Sequence, residues 1–166
     1  MSDFEIKPLT ADHRQAAEAF AAKIPDGDRA FVDRSLLSQV SVAGWTRRST
    51  ARRTGAFLDD QMVAIMTVNQ QAGWMHRVGE LRLVVLPEAR GKGLATELAH
   101  LAVDVAREMG LSKLYVEVLA QLEQVVDMFV ALGFEQEAVL RDHVVDGDGQ
   151  PGNLCVLSRF LDEQSS

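Results

Sequence analysis

The feature that most limits the folds open to this chain is an apolar run that ends at a proline and leads through a glycine-rich turn into a helical pattern. The segment from Leu83 to Thr96 reads LVVLPEARGKGLAT. The valines and leucines before Pro87 predict a strand, because β-branched residues favour extended backbone. From Leu94 onward, leucines and a valine recur at helical spacing, which predicts an amphipathic helix. A strand that leads directly into a helix is typical of α/β proteins.

The residues on both sides of this segment extend the α/β pattern. Upstream, the spacing predicts strands at Phe4–Lys7, Thr54–Leu58, Met62–Val68 and Val78–Leu86. It also predicts helices at Ala16–Ile24 and Arg29–Val40, with a loop between them at Pro25–Asp28. Downstream, it predicts helices at Leu94–Gly110 and Leu122–Leu132 and strands at Lys113–Leu119, Phe134–Val145 and Leu154–Leu161. A long polar loop, Asp146–Asn153, is predicted between the last two strands. We therefore expect a single α/β domain over residues 1–166, with a mixed, mostly antiparallel sheet flanked by about four helices.

The charge and the composition disfavour several classes of function. The chain has a net charge of −7, whereas a nucleic-acid-binding domain is usually basic, so a cationic substrate fits better than a nucleic acid. No apolar stretch approaches the roughly eighteen residues of a membrane span, and the first residues do not resemble a signal peptide. With a single cysteine, Cys155, these features predict a cytoplasmic protein that does not bind membranes. His13, His76 and His100 lack metal-ligand spacing, so we expect no metal.

The glycine-rich turn has the properties of an anion-binding site. The first N–H groups of a helix have no partner within the helix, and the helix dipole adds partial positive charge there. Gly91 and Gly93 would let a phosphate approach the backbone, while Arg90 and Lys92 add full charges, so a pyrophosphate is the expected ligand. The spacing of a P-loop is absent. A dinucleotide-binding turn fits only in part, because its third glycine is missing and the preceding strands are not arranged in βα alternation.

The same residues resemble motif A of the GCN5-related N-acetyltransferases, in which Arg/Gln-x-x-Gly-x-Gly/Ala opens the third main helix. Here the pattern is Arg90-x-x-Gly93-x-Ala95, and it follows a strand that ends at Pro87, as in that family. Gly133-Phe134 resembles the end of motif B. The resemblance implies the acyl-CoA N-acyltransferase fold and acetyl-CoA as cosubstrate. It also implies a slot between splayed strands, in which the backbone of Leu83, Val84 and Val85 binds the pantetheine arm, and a pyrophosphate site formed by Arg90, Gly91, Lys92, Gly93, Leu94, Ala95 and Thr96.

The catalytic groups are less clearly indicated. Glu80 stands where the resembling family often has a catalytic carboxylate, but it could equally form an ion pair with Arg82, two residues along the same strand face. His143 is a second candidate for substrate contact or proton transfer. Phe129 occupies the position of the tyrosine that serves as general acid in many members, which leaves open a non-catalytic acyl-CoA-binding domain.

The acceptor is predicted only as a class of compound. The resemblance implies a primary amine on a small molecule or a protein, selected by about residues 10–45 and 141–155, and it leaves a homodimer possible. A nicotinamide-dependent oxidoreductase is the weaker alternative. It would bind a nicotinamide cofactor and would not bind CoA.

Overall fold

The computed structural model describes residues 3–29 and 50–161 of the chain. The predicted second helix, Arg29–Val40, therefore lies outside the described residues apart from Arg29, and so does much of the first region expected to select the acceptor.

The described residues form seven strands and four helices in the predicted α/β order. The strands are β1 (Glu5–Pro8), β2 (Ala51–Leu58), β3 (Gln61–Gln70), β4 (Val78–Val85), β5 (Lys113–Leu119), β6 (Glu135–Val145) and β7 (Pro151–Phe160). The helices are α1 (Arg14–Lys23), α2 (Asp26–Arg29), α3 (Leu94–Glu108) and α4 (Glu123–Ala131). Short 3-10 turns lie at Ala11–His13, Gly73–Met75 and Pro87–Ala89. None of the helices in the described part of the chain is long and apolar enough to cross a membrane.

The strands form one sheet in the order β1-β2-β3-β4-β5-β7-β6. Every neighbouring pair is antiparallel except β4 and β5, which are parallel and joined by the crossover helix α3. This arrangement confirms the predicted mixed, mostly antiparallel sheet. Tight turns join the antiparallel pairs β2–β3 and β6–β7, whereas the parallel pair requires a crossover.

Two predicted loops were wrong. Residues Asp26–Arg29 form a single helical turn, in which acidic side chains near the amino end interact favourably with the helix dipole. The hairpin loop between β6 and β7 is shorter than predicted, since β7 already begins at Pro151, opposite Val145. The Asp146 carboxylate accepts hydrogen bonds from the backbone N–H groups of Asp148 and Gln150 and closes a tight turn.

Helices cover both faces of the sheet. Helices α3 and α4 pack on one face, where the core includes Leu81, Leu114, Val116, Cys155 and Leu157. Helix α1 covers the other face near β2 and β3 through Phe20, Phe57 and Ile65. Within α3, alanines 99, 102 and 106 are buried with Leu94 and Leu98, while Leu101 and Val105 are only partly buried. Small residues thus let α3 approach the sheet closely beside β4.

Candidate active site

Strands β4 and β5 run side by side over only four residue pairs before they separate. Their register extends from Val78 opposite Lys113 to Leu81 opposite Val116. Beyond that row, β4 pairs only with β3 as far as Val85, and β5 pairs only with β7 as far as Leu119. A gap therefore opens between residues 82–85 and residues 117–119, on the carboxyl side of the parallel pair. Ligands of α/β sheets commonly bind at such an edge.

Backbone groups of β4 face this gap. The N–H of Leu86 donates to the Val63 carbonyl of β3 at 2.9 Å, and peptide groups alternate in direction along a strand. The backbone of Val84 therefore also points toward β3, whereas the N–H and carbonyl groups of Leu83 and Val85 point toward the gap. In the described part of the chain, no strand pairs with them there. The Val85 carbonyl accepts a hydrogen bond from the Arg90 side chain, so an extended ligand could add to β4 at the Leu83 groups and the Val85 N–H, as a peptide adds to an open sheet edge.

The glycine turn adjoins the end of β4. Gly91 and Gly93 have φ values of 76° and 79°, a left-handed conformation that other residues adopt at a cost, and Gly93 is the N-cap of α3. Apart from the glycines' own chain neighbours, none of the described residues has a heavy atom within 4 Å of a Cβ built on either glycine, so the turn is open on its outer side. A pocket of about 220 Å³ is lined by Val85, Ala89, Arg90, Gly91, Gly93, Leu94, Ala95 and Thr96. The turn and the unpaired edge of β4 thus form one continuous surface that fits a phosphate joined to an extended arm.

The two predicted cationic side chains of the turn have different partners. The Arg90 Nε donates to the Val85 carbonyl at 2.9 Å, and its Nη2 lies 2.7 Å from Asp28 Oδ2. The Lys92 ammonium lies 5.9 Å from the centre of the Phe4 ring. The guanidinium of Arg90 is therefore already bonded to the end of β4 and to α2, while Lys92 projects beside the turn.

Glu80 lies opposite Tyr115 in the pairing of β4 with β5, one residue before this pairing ends at Leu81 and Val116. Its Oε1 is 2.5 Å from Arg82 Nε, so the ion pair that the sequence offered as an alternative to a catalytic role is present. Its Oε2 accepts a hydrogen bond from the Tyr115 hydroxyl at 3.1 Å. Burial of the phenol, followed by the charge and the hydrogen bond of Glu80, raises the pKa of Tyr115 well above its ordinary value. The two donors hold the Glu80 carboxylate in one orientation at the inner end of the gap.

His143 is not brought together with Glu80. It is exposed on β6, where the pairing with β7 is interrupted between Leu140 and Val144 and Asp142 has a φ of 49°. Strand β6 is separated from β5 by β7. In the part of the chain that the structure describes, no hydrogen bond or ion pair joins His143 to Glu80.

Phe129 belongs to the core rather than to the gap. Its side chain is 2% exposed and meets Phe134 edge to face, with 5.2 Å between the ring centres. The residue at the position of the family tyrosine therefore lacks a hydroxyl and is also shielded from solvent.

Two residues at the site had no role in the sequence-based prediction. Asp28 contacts the turn across 62 positions of sequence, and no local pattern indicates such a pair. Tyr115 could have been found by aligning the predicted parallel strands, because this places it beside Glu80. Among the residues described, no group of three or more His, Cys, Asp or Glu side chains could hold a metal ion.

Comparison with known proteins points to one family. The model of the acetyltransferase (GNAT) family matches residues 15–134. An uncharacterized N-acetyltransferase of Escherichia coli K12, YjgM, is 44% identical over 54 residues, which cover 32% of this chain and 32% of that protein. The spermidine N(1)-acetyltransferase of the same strain is 35% identical over 110 residues, which cover 63% of this chain and 56% of that protein. The chain thus spans from about a third to somewhat over half the length of these curated relatives.

Solved structures share the fold at low sequence identity. A GNAT-family acetyltransferase from Streptococcus pneumoniae superposes with a TM-score of 0.81 at 15% identity, covering 95% of this chain and 99% of that one. A spermidine N-acetyltransferase mutant from Vibrio cholerae has a TM-score of 0.78 at 16% identity, covering 97% and 95% of the two chains. At this level of identity the likeness establishes the architecture alone.

Proposed function

We propose a function for this chain, which belongs to the acetyltransferase (GNAT) family: it transfers an acetyl group from acetyl-CoA to a primary amine at the gap between β4 and β5. The observation that carries the proposal is the unpaired edge of β4 at Leu83 and Val85, which leads directly into the open glycine turn. An extended arm and a diphosphate fit these two neighbouring surfaces.

The cosubstrate would supply an activated acetyl thioester, and backbone groups of the chain would bind it. The pantetheine arm would lie along β4, bonded to Leu83 and Val85. The N–H groups at the start of α3, from Gly91 to Thr96, would hold the diphosphate with the help of the helix dipole. Leu94 would contribute only its backbone, because its side chain is buried in the core.

The reaction would be direct attack of a neutral amine on the thioester carbonyl. The amine must lose a proton, since an alkyl ammonium has a pKa of roughly 10.4. Glu80 would accept this proton, directly or through water, while Arg82 and Tyr115 hold its carboxylate in place. A backbone N–H near Val85, that of Leu83, also points toward the gap and lies nearer Glu80, so it would stabilise the negative charge that develops on the carbonyl oxygen.

The carbon–sulfur bond then breaks, and the sulfur leaves as a thiolate that takes up one proton. Phe129 cannot donate this proton. A thiol has a pKa of roughly 8.5, so the thiolate is a good leaving group even without a dedicated acid. The nitrogen gives up two protons in all: the ammonium proton, which passes through Glu80 to solvent before the attack, and a second proton, which is lost as the amide forms and protonates the thiolate. His143 stays a weaker proposal, for contact with the acceptor at the hairpin side of the site.

A cationic amine is the acceptor class that fits best. The relatives named as spermidine N(1)-acetyltransferases act on a polyamine, and the net charge of −7 favours the approach of a cation. The rest of the acceptor's identity depends on regions that include residues outside the described part of the chain.

The test is release of free thiol from acetyl-CoA against a panel of polyamines, amino acids and peptide amino termini. Wild type is compared with Glu80→Gln and with Glu108→Gln, which makes the same chemical change at an exposed position near the end of α3. We expect acceptor-dependent release that falls by about 10²-fold or more in Glu80→Gln and is unchanged in Glu108→Gln. Equal rates in wild type and Glu80→Gln would exclude Glu80 as the base.

The same assay tests the alternative of a non-catalytic acyl-CoA-binding domain, which the buried Phe129 favours. That alternative predicts that CoA raises the melting temperature while no acceptor releases thiol. A nicotinamide-dependent oxidoreductase would instead be stabilised by a nicotinamide cofactor and not by CoA.

A further inference from the structure

Helix α2 contacts two segments near the candidate cofactor site: the glycine turn after β4 and the hairpin between β6 and β7. On one side, Asp28 forms its ion pair with Arg90, in the turn that follows β4. On the other side, a Cβ built on Gly147, in the hairpin between β6 and β7, would lie 3.2 Å from the Cα of Gly27. Two adjacent residues of α2 thus link the turn after β4 with the hairpin beyond β5.

The guanidinium of Arg90 is shared between two partners. Its Nε donates to the Val85 carbonyl, which fixes the guanidinium at the end of β4, and its Nη2 is bonded to Asp28. The side chains of Arg90 and Asp28 are 51% and 38% exposed. Ion pairs with this exposure are weak and are screened by salt, so a stronger anion can replace the carboxylate.

A diphosphate at the glycine turn would be such an anion. It carries more charge than a carboxylate and presents several oxygens to a guanidinium, which binds phosphate groups through paired hydrogen bonds. Asp28 carries a negative charge at the same guanidinium, so the two anions would also repel each other. The Asp28 carboxylate therefore lies where it opposes binding of the diphosphate.

We propose that Asp28 is a further residue of the cofactor site, whose carboxylate competes with the CoA diphosphate for the Arg90 guanidinium. The inference rests on the proposed function. When the diphosphate binds Arg90, α2 loses its ion pair with the turn and keeps its contact with the hairpin at Gly147. Binding of the cofactor is thereby coupled to the position of α2.

The proposal predicts that a substitution at the site raises the affinity for CoA. Replacing a residue of a binding site usually weakens binding, whereas Asp28→Asn should tighten it, because the variant removes the competing charge and keeps the size of the side chain. Glu88→Gln is the matched control. Glu88 is exposed two residues before Arg90 and loses the same charge in this variant. Among the described residues, no hydrogen bond or ion pair joins Glu88 to Arg90.

The experiment measures CoA dissociation constants by titration calorimetry at low salt for wild type, Asp28→Asn, Glu88→Gln, Arg90→Gln and the Asp28→Asn/Arg90→Gln double variant. We expect Asp28→Asn to lower the dissociation constant by about two- to fivefold, the range of an exposed ion pair. Glu88→Gln should give less than half of this gain. In the Arg90→Gln background, Asp28→Asn should give no more than the general charge effect seen in Glu88→Gln, because the shared group is gone.

The gain should persist with dephospho-CoA, which retains the diphosphate and lacks the 3′-phosphate. Asp28→Ser repeats the test in case the amide forms a new hydrogen bond with Arg90. Unchanged or weaker binding in both Asp28 variants would overturn the inference. So would an equal gain in Glu88→Gln, or a gain of undiminished size in the Arg90→Gln background. If wild type itself binds no CoA, the proposed function fails. If wild type binds CoA but its affinity does not depend on Asp28, only the inference about Asp28 fails.

Discussion

The Tyr115 hydroxyl donates a hydrogen bond to Glu80 Oε2 across the two parallel strands, one row before their pairing ends. The contact joins the candidate base to the strand on the far side of the gap. Because Arg82 binds the other oxygen of the same carboxylate, Glu80 is restrained from both strands of the site. Any movement that widens the gap at this row would have to break the Tyr115 contact.

The titration of Tyr115 is the first prediction. It is the only tyrosine in the chain, so the near-ultraviolet absorbance of tyrosinate reports this residue alone. We expect its midpoint well above the ordinary value of 10.0, because burial and Glu80 both disfavour the phenolate. Glu80→Gln should lower the midpoint only in part, since burial is the largest cause. A midpoint near 10.0 in folded wild type would contradict the observed environment.

The same pKa shift affects stability in one direction. The pKa of Tyr115 is raised on folding, so its contribution is fully present below the pKa of the unfolded state and is lost as pH rises above it. The stability difference between wild type and Tyr115→Phe should therefore shrink above about pH 10. Urea unfolding at a series of alkaline pH values measures this difference.

The two ends of α3 offer a matched test of the cofactor turn. Gly93 before the helix and Gly110 after it have φ values of 79° and 75°, and a Cβ at either position would meet no described residue within 4 Å apart from its chain neighbours. Alanine should therefore cost a similar amount of stability at both ends, about 1–2 kcal/mol, through backbone strain alone. Only Gly93→Ala should also weaken CoA binding, by about tenfold or more, because the strain alters the phosphate-binding turn.

Thermal unfolding and CoA titration of the two variants separate these effects. Similar losses of CoA affinity in Gly93→Ala and Gly110→Ala would show that global destabilisation, and not the turn, controls binding.

Local patterns were enough to predict most of the fold. Strand β5 has its predicted bounds, Lys113–Leu119, because its β-branched residues follow a helix that ends at Gly110, a clear stop signal, and precede the next helical pattern. The Glu80–Arg82 pair was also foreseen, since residues two apart share one face of a strand. Both features depend on periodicity within a single element.

Features that depend on tertiary contacts were not readable in the same way. The separation of β4 and β5 was expected only through the family resemblance, because register is determined by packing between strands distant in sequence. The ion pair of Asp28 with Arg90 joins residues 62 positions apart. Helix α2 was predicted as a loop, since Gly27 and the preceding Pro25 are typical turn residues. It is a single turn adjoining the candidate cofactor site and the hairpin.

Restoring the family tyrosine is expected to fail. The ring of Phe129 is 2% exposed and packs against Phe134, so Phe129→Tyr would place a hydroxyl among apolar side chains. An unbonded buried hydroxyl costs about 1–3 kcal/mol, so the variant should unfold at lower denaturant concentration. Its rate of thiol release should not rise. A faster rate without loss of stability would place this position at the gap after all.

The bulge in β6 gives a prediction for acid stability. Glu137 lies at the register shift between Gln136 and Ala138, and its carboxylate bridges two strands: Lys113 Nζ of β5 lies 2.8 Å from Oε1, and the Ser158 hydroxyl of β7 donates to Oε2. The hydrogen bonds from Lys113 and Ser158 lower the pKa of Glu137. The stabilisation from a lowered carboxylate pKa is present above the pKa of the unfolded state and is lost as pH falls through the folded value.

Glu137→Gln should therefore reduce the free energy of unfolding by about 0.5–1 kcal/mol near neutral pH, a range set by the exposure of the carboxylate. The difference from wild type should disappear as the pH falls below the ordinary glutamate value of 4.5. Glu135→Gln, two residues earlier and exposed on the same strand, is the control and should behave like wild type. Denaturant unfolding of the three proteins between neutral and acid pH measures both effects. A difference that stays constant across this range would mean that Glu137 contributes through packing and not through its charge.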